Sequence, residues 1–353
     1  MSDSIVMEGP LCPVPIRKRG QVILGHGSGG KLSQDLIGDL FLPPFDNPIL
    51  RASNDAGIIE FDQDFRLAIS TDSHVVWPLF FPGGDIGRLA VCGTVNDVAM
   101  MGAKPSYLTA GFILEEGLEL AVLEQVVDSM RQAAAEADVQ IIAGDTKVVE
   151  RGKADGLYIN TAGVGLVRKD AEIGGERATP GDVVILSGPI GDHGIAVLEA
   201  RDELGFQADV KSDVAPLNHL VEAMLTASRR IHVLRDPTRG GIASTLNEIA
   251  GQSEVAIILD EKSIPVRPAV QAACEMLGFD PIYIANEGKL LAFVAEEDAQ
   301  TVLDTMRRQR YGEEAVIIGH VEAAPKGRVL MKTTIGTTRI VDMLAGEMLP
   351  RIC

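Results

Sequence analysis

The sequence predicts an α+β protein built from two α/β-type domains and a flexible C-terminal tail. Three observations carry that reading. The chain has 353 residues, more than one ordinary core of ~150 residues organises. Short apolar runs of strand length alternate with segments of helical period, in two successive sets. Hydrophobic residues make up 46% and charged residues 23%, the balance of a globular chain.

Residues 1–46 read as an N-terminal extension that holds the run Gly25-His26-Gly27-Ser28-Gly29-Gly30-Lys31. Residues 47–170 form the first domain. In it IIEF and FRLAIS are strands, DIGRLAVCGTVNDVAMMG a helix, and SYLTAGFIL a strand. The amphipathic helix LELAVLEQVVDSMRQAAAEA follows, then the strands VQIIAG and LYINTAGVGLV. The polar, glycine- and proline-bearing stretch RKDAEIGGERATPGD marks the boundary.

Residues 171–342 form the second domain. VVILSG is a strand, NHLVEAMLTASRRIHV and GGIASTLNEIAG are helices, and VAIILD is a strand. PAVQAACEMLG (helix), KLLAFVA (strand), AQTVLDTMRRQR (helix) and AVIIGHVE (strand) follow, with a β finish over 328–342. Residues 343–353 remain as a mobile tail that ends on Cys353.

The formal charge of −18 repels phosphate backbones and anionic lipid, which argues against nucleic-acid and membrane partners. No apolar run approaches the ~20 residues of a membrane span. The opening MSDSIVMEGPLCPVP lacks the basic start and apolar stretch of a signal peptide, so a cytoplasmic location is expected. Cys12, Cys92, Cys274 and Cys353 show no C-x-x-C spacing, and the six histidines show no ligand spacing. Cys92 and Cys274 fall inside apolar helical patterns and read as core residues. A thiol as the last residue contributes nothing to a core. Either it is incidental, or the tail is a tether that carries sulfur to a site.

Four acids recur beside Asn, Gly or Thr: Asp55, Asp72, Asp97 (next to Asn96) and Asp145 (between Gly144 and Thr146). Each alone reads as a turn former or helix cap. Together they suit a metal–nucleotide site, since clustered carboxylates repel unless cations neutralise them, and Mg²⁺ takes a few carboxylates, waters and polyphosphate oxygens. GHGSGGK could wrap phosphate with backbone N–H groups, Lys31 adding charge; a flexible linker is the equal reading. It is not a Walker A motif, because Leu32 follows Lys31. The run Arg235-Asp236-Pro237-Thr238-Arg239-Gly240-Gly241 opens a helix and suits a turn or a phosphate equally.

In combination these pieces resemble the aminoimidazole ribonucleotide synthetase (PurM-like) superfamily. The glycine-rich lead, the Asp after the first strand, TD, ND, GDT and RDPTRGG appear in order, over about residues 21–345. GHGSGGK, DPTRGG, ANEGK and the terminal P-R-I-C resemble, within it, the hydrogenase-maturation HypE family of carbamoyl dehydratases. The resemblance implies PurM-like architecture, with N-terminal domains pairing their sheets across a homodimer and ATP with Mg²⁺ in the cleft between domains. Asp55, Asp72, Asp97 and Asp145 would hold the metal. Lys31, Asn96, Gly144, Thr146 and Asp236 would join them around the nucleotide.

It also implies the chemistry. A carbamoyltransferase, HypF, loads a carbamoyl group on Cys353, ATP-dependent dehydration converts it to a thiocyanate, and cyanide passes to iron on a HypC–HypD scaffold for nickel–iron hydrogenase. Glu287 would be the base, and Lys147 would orient it or stabilise the departing phosphate. The tail's eleven residues make ten Cα–Cα steps, ~33–36 Å when extended, enough to meet a donor outside and return to an ATP site. Pro350 and Ile352 would anchor its tip, and Arg351 would pair with an acid.

Two rivals stand beside this reading. Another ATP-using PurM-like enzyme, such as selenophosphate synthetase or a small-molecule kinase, has no use for a terminal thiol, and GHGSGGK carries no reactive cysteine. A non-catalytic ATP-binding scaffold would use the tail for docking alone.

Overall fold

The computed structural model describes residues 22–201, 209–344, 349 and 351–353; Cys12 and Pro350 lie outside them. The lead-in is not wholly irregular. Short helical turns α1 (Lys31–Leu36), α2 (Leu42–Phe45) and α3 (Pro48–Arg51) run toward the first domain, α3 capped by the Asn47 side chain.

The first domain is a five-stranded sheet. Its strands are β1 (Gly57–Glu60), β2 (Phe65–His74), β5 (Ala103–Glu115), β6 (Gln140–Val149) and β7 (Leu157–Arg168). A two-stranded ribbon, β3 (Phe80–Phe81) and β4 (Gly84–Asp85), lies beside it. The sheet order is β1-β2-β7-β5-β6, with β5 and β6 parallel and the other pairs antiparallel. Helices α4 (Ile86–Met100) and α5 (Leu120–Glu136) follow β4 and β5 and cover one face. Asp85 caps α4, accepting from the Gly87 and Arg88 N–H groups. Strand alternation sends Ala68, Ser70, Asp72 and His74 toward α4, while Ile69, Tyr107, Ile113 and Leu166 face outward and are exposed.

The second domain holds seven strands: β8 (Val183–Leu186), β9 (Ile231–Arg235), β10 (Ala256–Asp260), β11 (Leu291–Val294), β12 (Val316–Glu322), β13 (Arg328–Lys332) and β14 (Thr338–Val341). Their order is β14-β13-β10-β12-β8-β11-β9. Helices α7 (Asn218–Ala227) and α10 (Glu296–Met306) cover one face through Leu220, Met224, Val302 and Met306. Helix α8 (Gly241–Ser253) covers the other through Ile242, Leu246 and Ile249. Helices α6 (Asp192–Ala200) and α9 (Pro268–Leu277) pack together, burying Cys274 as expected. Cys92 is likewise core, inside α4.

Three expectations are corrected. Residues 231–235 are β9 rather than the end of a helix: β-branched Ile231 and Val233 are buried against β11. Helix α6 escaped the sequence reading, because buried on almost every side it shows no polar stripe. Asp72 and Asp145 lie inside β2 and β6 rather than after them. The two domains share core: Ala99 and Met100 of α4 pack with α7, and Val197 and Ala285 join the cluster under α4.

Candidate active site

Asp55 precedes β1, Asp72 lies on β2 and Asp97 on α4; Asp236 follows β9 from the other domain. Burial raises Asp97 well above the usual carboxylate range, with Asp236, Asp72 and Asp55 adding repulsion. The Ser70 hydroxyl donates to Asp97 Oδ2 at 2.7 Å. Asp236 is pushed up to about 6 by burial, and Asp55 to about 8 by burial against the opposing pull of Arg235. Arg235 bridges Asp55 and Glu248 at 2.8 Å each, tying the domains together. Asp55 Oδ2 is buried without a hydrogen-bond partner.

Glu287 enters the same cleft from the loop before β11. It is 4% exposed, and its Oε1 is buried without a partner. Burial first, then Asp236, Asp72 and Asp213, holds its carboxyl well above the usual range, with Arg239 opposing. Its loop is fixed from behind: Asp213 Oδ1 accepts the Glu287 N–H at 3.0 Å, and Lys289 pairs with Asp213 at 3.3 Å. Gly288 has no room for a side chain, since a Cβ there would fall 1.8 Å from the Asp213 carbonyl oxygen. Arg239 reaches the cleft from the turn that opens α8. That turn needs Gly240 and Gly241, both at positive φ.

The two glycine-bearing runs meet. Arg239 Nη1 donates to the Gly27 carbonyl at 3.2 Å, and the Lys31 N–H donates to the Leu344 carbonyl at 3.0 Å. The Lys31 side chain is exposed.

The described end of the tail is docked inward. Val75 N–H donates to a terminal carboxylate oxygen of Cys353 at 3.1 Å and Trp77 N–H to the Arg351 carbonyl at 3.3 Å, a strand-like pairing beyond β2. Ile352 is 3% exposed within the core under α4. Arg351 pairs with Asp155. Both were expected of this tip. The Cys353 thiol lies within electrostatic range of Arg239, Glu287, Asp72 and Asp236, and burial pushes it far above an ordinary thiol.

Other expected site residues fall elsewhere. Asn96 is spent on packing: its amide donates to the Ala215 carbonyl at 3.0 Å and accepts from the Leu217 N–H at 2.8 Å. Within one chain, Gly144, Asp145, Thr146 and Lys147 do not join the acids. They ride the edge strand β6, exposed, and Lys147 pairs with Asp145 at 2.6 Å rather than with Glu287. Register places Asp145 in a row with Gly111, Asn160 and Ser73, on the outward face, while Asp72 points inward. The four strands involved put them roughly 14 Å apart across the sheet. Sequence proximity to strand ends suggested one rim; alternation put them on opposite faces.

Arg239, Arg235 and Asp213 were not singled out. The first two sit within the quoted RDPTRGG; Asp213 lies in an irregular segment with no pattern to betray it.

The residues present fit Mg²⁺. Among the described residues no three His, Cys, Asp or Glu side chains enclose an ion by themselves, yet Mg²⁺ normally takes one or two carboxylates and completes its shell with water and phosphate. Mutually repelling acids with an orphaned oxygen are the donor set for that.

This fold and cleft define a class, and residues 53–167 match the N-terminal domain and residues 179–332 the C-terminal domain of AIR synthase related proteins. Within that class the chain is 53% identical to carbamoyl dehydratase HypE of Cupriavidus necator, over 95% of this chain and 96% of the relative. It superposes on a crystal structure of HypE in complex with ATP with a TM-score of 0.79 at 52% identity, covering 94% of this chain and all of the other. The HypE chain of a HypE–HypF complex gives 0.83 at 49%, covering 88% and 99%. The chain belongs to the carbamoyl dehydratase HypE family.

Proposed function

We propose that this protein dehydrates an S-carbamoyl group on its own Cys353 to an S-cyanate at the expense of ATP, supplying cyanide for the iron of nickel–iron hydrogenase. One observation carries the reading: the terminal thiol is docked in an interdomain cleft between Glu287, Arg239 and a group of acids. A docked tail needs a cleft built for its tip, and here the cleft contains a base and a cation-demanding surface.

Dehydrating S–C(=O)–NH₂ requires the oxygen to become a leaving group and two N–H protons to be removed. ATP meets the first need by phosphorylating the oxygen, after which loss of phosphate leaves S–C≡N. Glu287 meets the second: burial gives its carboxylate unusual basicity, and its free Oε1 has no competing donor. Arg239 offsets negative charge beside the thiol end of the substrate. Asp72, Asp97, Asp55 and Asp236 would hold Mg²⁺, which neutralises charge during phosphoryl transfer. Asp145 and Lys147 act from a second subunit, which the exposed outward face of the first sheet receives in a homodimer.

HypF docks with the undocked tail to load the carbamoyl group, and a HypC–HypD complex receives the cyanide. The location is cytoplasmic; among the described residues no helix is long and apolar enough to cross a membrane. Mass spectrometry of the C-terminal peptide after incubation with HypF, carbamoyl phosphate and MgATP tests the reading. The expected result is a carbamoyl adduct on Cys353, followed by a species lighter by one water. Modification that survives Cys353→Ala would overturn it.

A further inference from the structure

Three consecutive main-chain oxygens at the tail tip are captured, two peptide carbonyls and one of the terminal carboxylate, and the middle one is held by a residue that neither composition nor motif marked. The Arg351 carbonyl accepts from Trp77 N–H and from Arg201 Nη2 at 2.6 Å, and a terminal carboxylate oxygen of Cys353 accepts from Val75 N–H. The Ile352 carbonyl lies 2.7 Å from His193 Nε2. His193, near the start of α6, is 0% exposed and meets the Phe81 ring edge-on at 5.4 Å.

The hydrogen positions follow from the partners. A carbonyl can only accept, so His193 Nε2 carries the proton. Ser212 Oγ lies 2.8 Å from His193 Nδ1 and accepts from Val214 N–H at 3.1 Å. With burial holding the imidazole neutral, Nδ1 is an acceptor and the Ser212 hydroxyl donates to it. The chain of donors therefore runs Val214 N–H, Ser212 O–H, His193 Nε2–H, Ile352 carbonyl. Each link has one direction. The segment of Ser212 is itself fixed, its N–H donating to the Pro82 carbonyl at 2.7 Å.

We propose that His193, oriented by Ser212, is the positioning residue that latches the docked tail and sets the Cys353 side chain against Glu287 and Arg239. Its Nε2–H donates to the tail, so undocking strands a buried donor that docking satisfies. The latch reads main chain, so it acts alike on the free thiol, the carbamoylated tail and the cyanated tail. It favours return of the loaded tip without gripping the reacting group.

The catalytic part of this inference rests on the dehydratase reading; the docking part does not, and the test separates them. In His193→Leu the full-length protein loses the donor, whereas His193→Gln keeps an N–H near the Nε2 position. Alkylation by iodoacetamide, read on the C-terminal peptide, should be about tenfold faster at Cys353 in His193→Leu, the effect of one lost hydrogen bond. Buried Cys92 and Cys274 serve as internal controls and should stay protected. Single-turnover dehydration of the preloaded carbamoyl tail should fall by about the same factor, with MgATP affinity and loading by HypF undiminished. His193→Gln should restore both readouts.

Unchanged Cys353 alkylation in His193→Leu with both controls protected would overturn the latch, as would a His193→Gln variant equally defective. If His193→Leu exposes the controls, Ser212→Ala decides: faster alkylation of Cys353 alone supports the latch, and a wild-type rate ends it. Expected alkylation rates beside a wild type that never dehydrates would sink the dehydratase reading and leave the latch standing.

Discussion

Glu287 and Cys353 show how one environment tunes two groups in a useful direction. Burial raises both, so the docked thiol stays protonated and unreactive while the carboxylate becomes a stronger base once ionised. On the proposed reading, loading therefore belongs to the undocked tail and dehydration to the docked one. Glu287→Gln keeps shape and hydrogen bonding but not basicity. It should accept the carbamoyl group, bind MgATP, and dehydrate ~10²–10⁴-fold more slowly, so that the carbamoylated peptide accumulates in mass spectra. The base must be ionised to act, and its carboxyl is raised. Wild-type dehydration should thus rise with pH beyond the ordinary carboxylate range, and Glu287→Gln should flatten that rise.

In the proposed homodimer, strand β6 is the element whose role depends most on a second copy. It carries Gly144, Asp145, Thr146 and Lys147 on an exposed edge, beside a sheet face where Tyr107, Ile113 and Ile69 are 46%, 44% and 45% exposed. A contiguous apolar face of this kind marks an interaction surface. Ile113→Glu should turn a dimer into a monomer in sedimentation equilibrium and lower dehydration with it. The trans role of Lys147 has its own measurement. Lys147→Ala and Glu287→Gln chains, each defective alone, should regain activity when mixed into heterodimers. Mixtures no better than the separate variants would place Lys147 outside the mechanism.

The molecule as a whole is held by ionic ties across its cleft. Arg235 is the interdomain tie for Asp55 and the partly exposed Glu248, and Arg235→Met removes both pairings; a loss of ~1–3 kcal/mol is expected in denaturant unfolding. The acids also link stability to pH. Folded Asp55 and Asp236 keep protons up to about 8 and about 6, and burial also raises Asp97 and Glu287 well above the usual carboxylate range. Unfolded, they release them near ~4. The folded chain binds more protons in between, so stability falls as pH rises through that window. Buried His74 and His193, lowered by desolvation, act oppositely, but their contribution is complete above their unfolded value of ~6.5. In chelator the melting temperature should therefore drop as pH rises from about 6.5 to about 8. Mg²⁺ should offset most of that drop, and a flat profile without Mg²⁺ would free these acids from a cation role.

Periodicity and motif order pointed to two α/β domains, singled out the acids Asp55, Asp72 and Asp97 and marked a thiol at the end of a tail, and the family resemblance added Glu287 as the base candidate. These are local facts: a strand repeats every two residues, a helix every 3.6, and a motif sits in a short stretch of chain. Tertiary structure alone decided which faces meet. Alternation and a three-strand separation removed Asp145 and Lys147 from their own chain's cleft, and packing spent Asn96 on the Ala215–Leu217 segment. The docking of Ile352 beneath α4, and the contact of His193 with the tail, join residues more than a hundred positions apart. No one-dimensional pattern encodes such pairings, because the free energy that fixes them comes from burial and hydrogen bonding between segments that only the fold brings together.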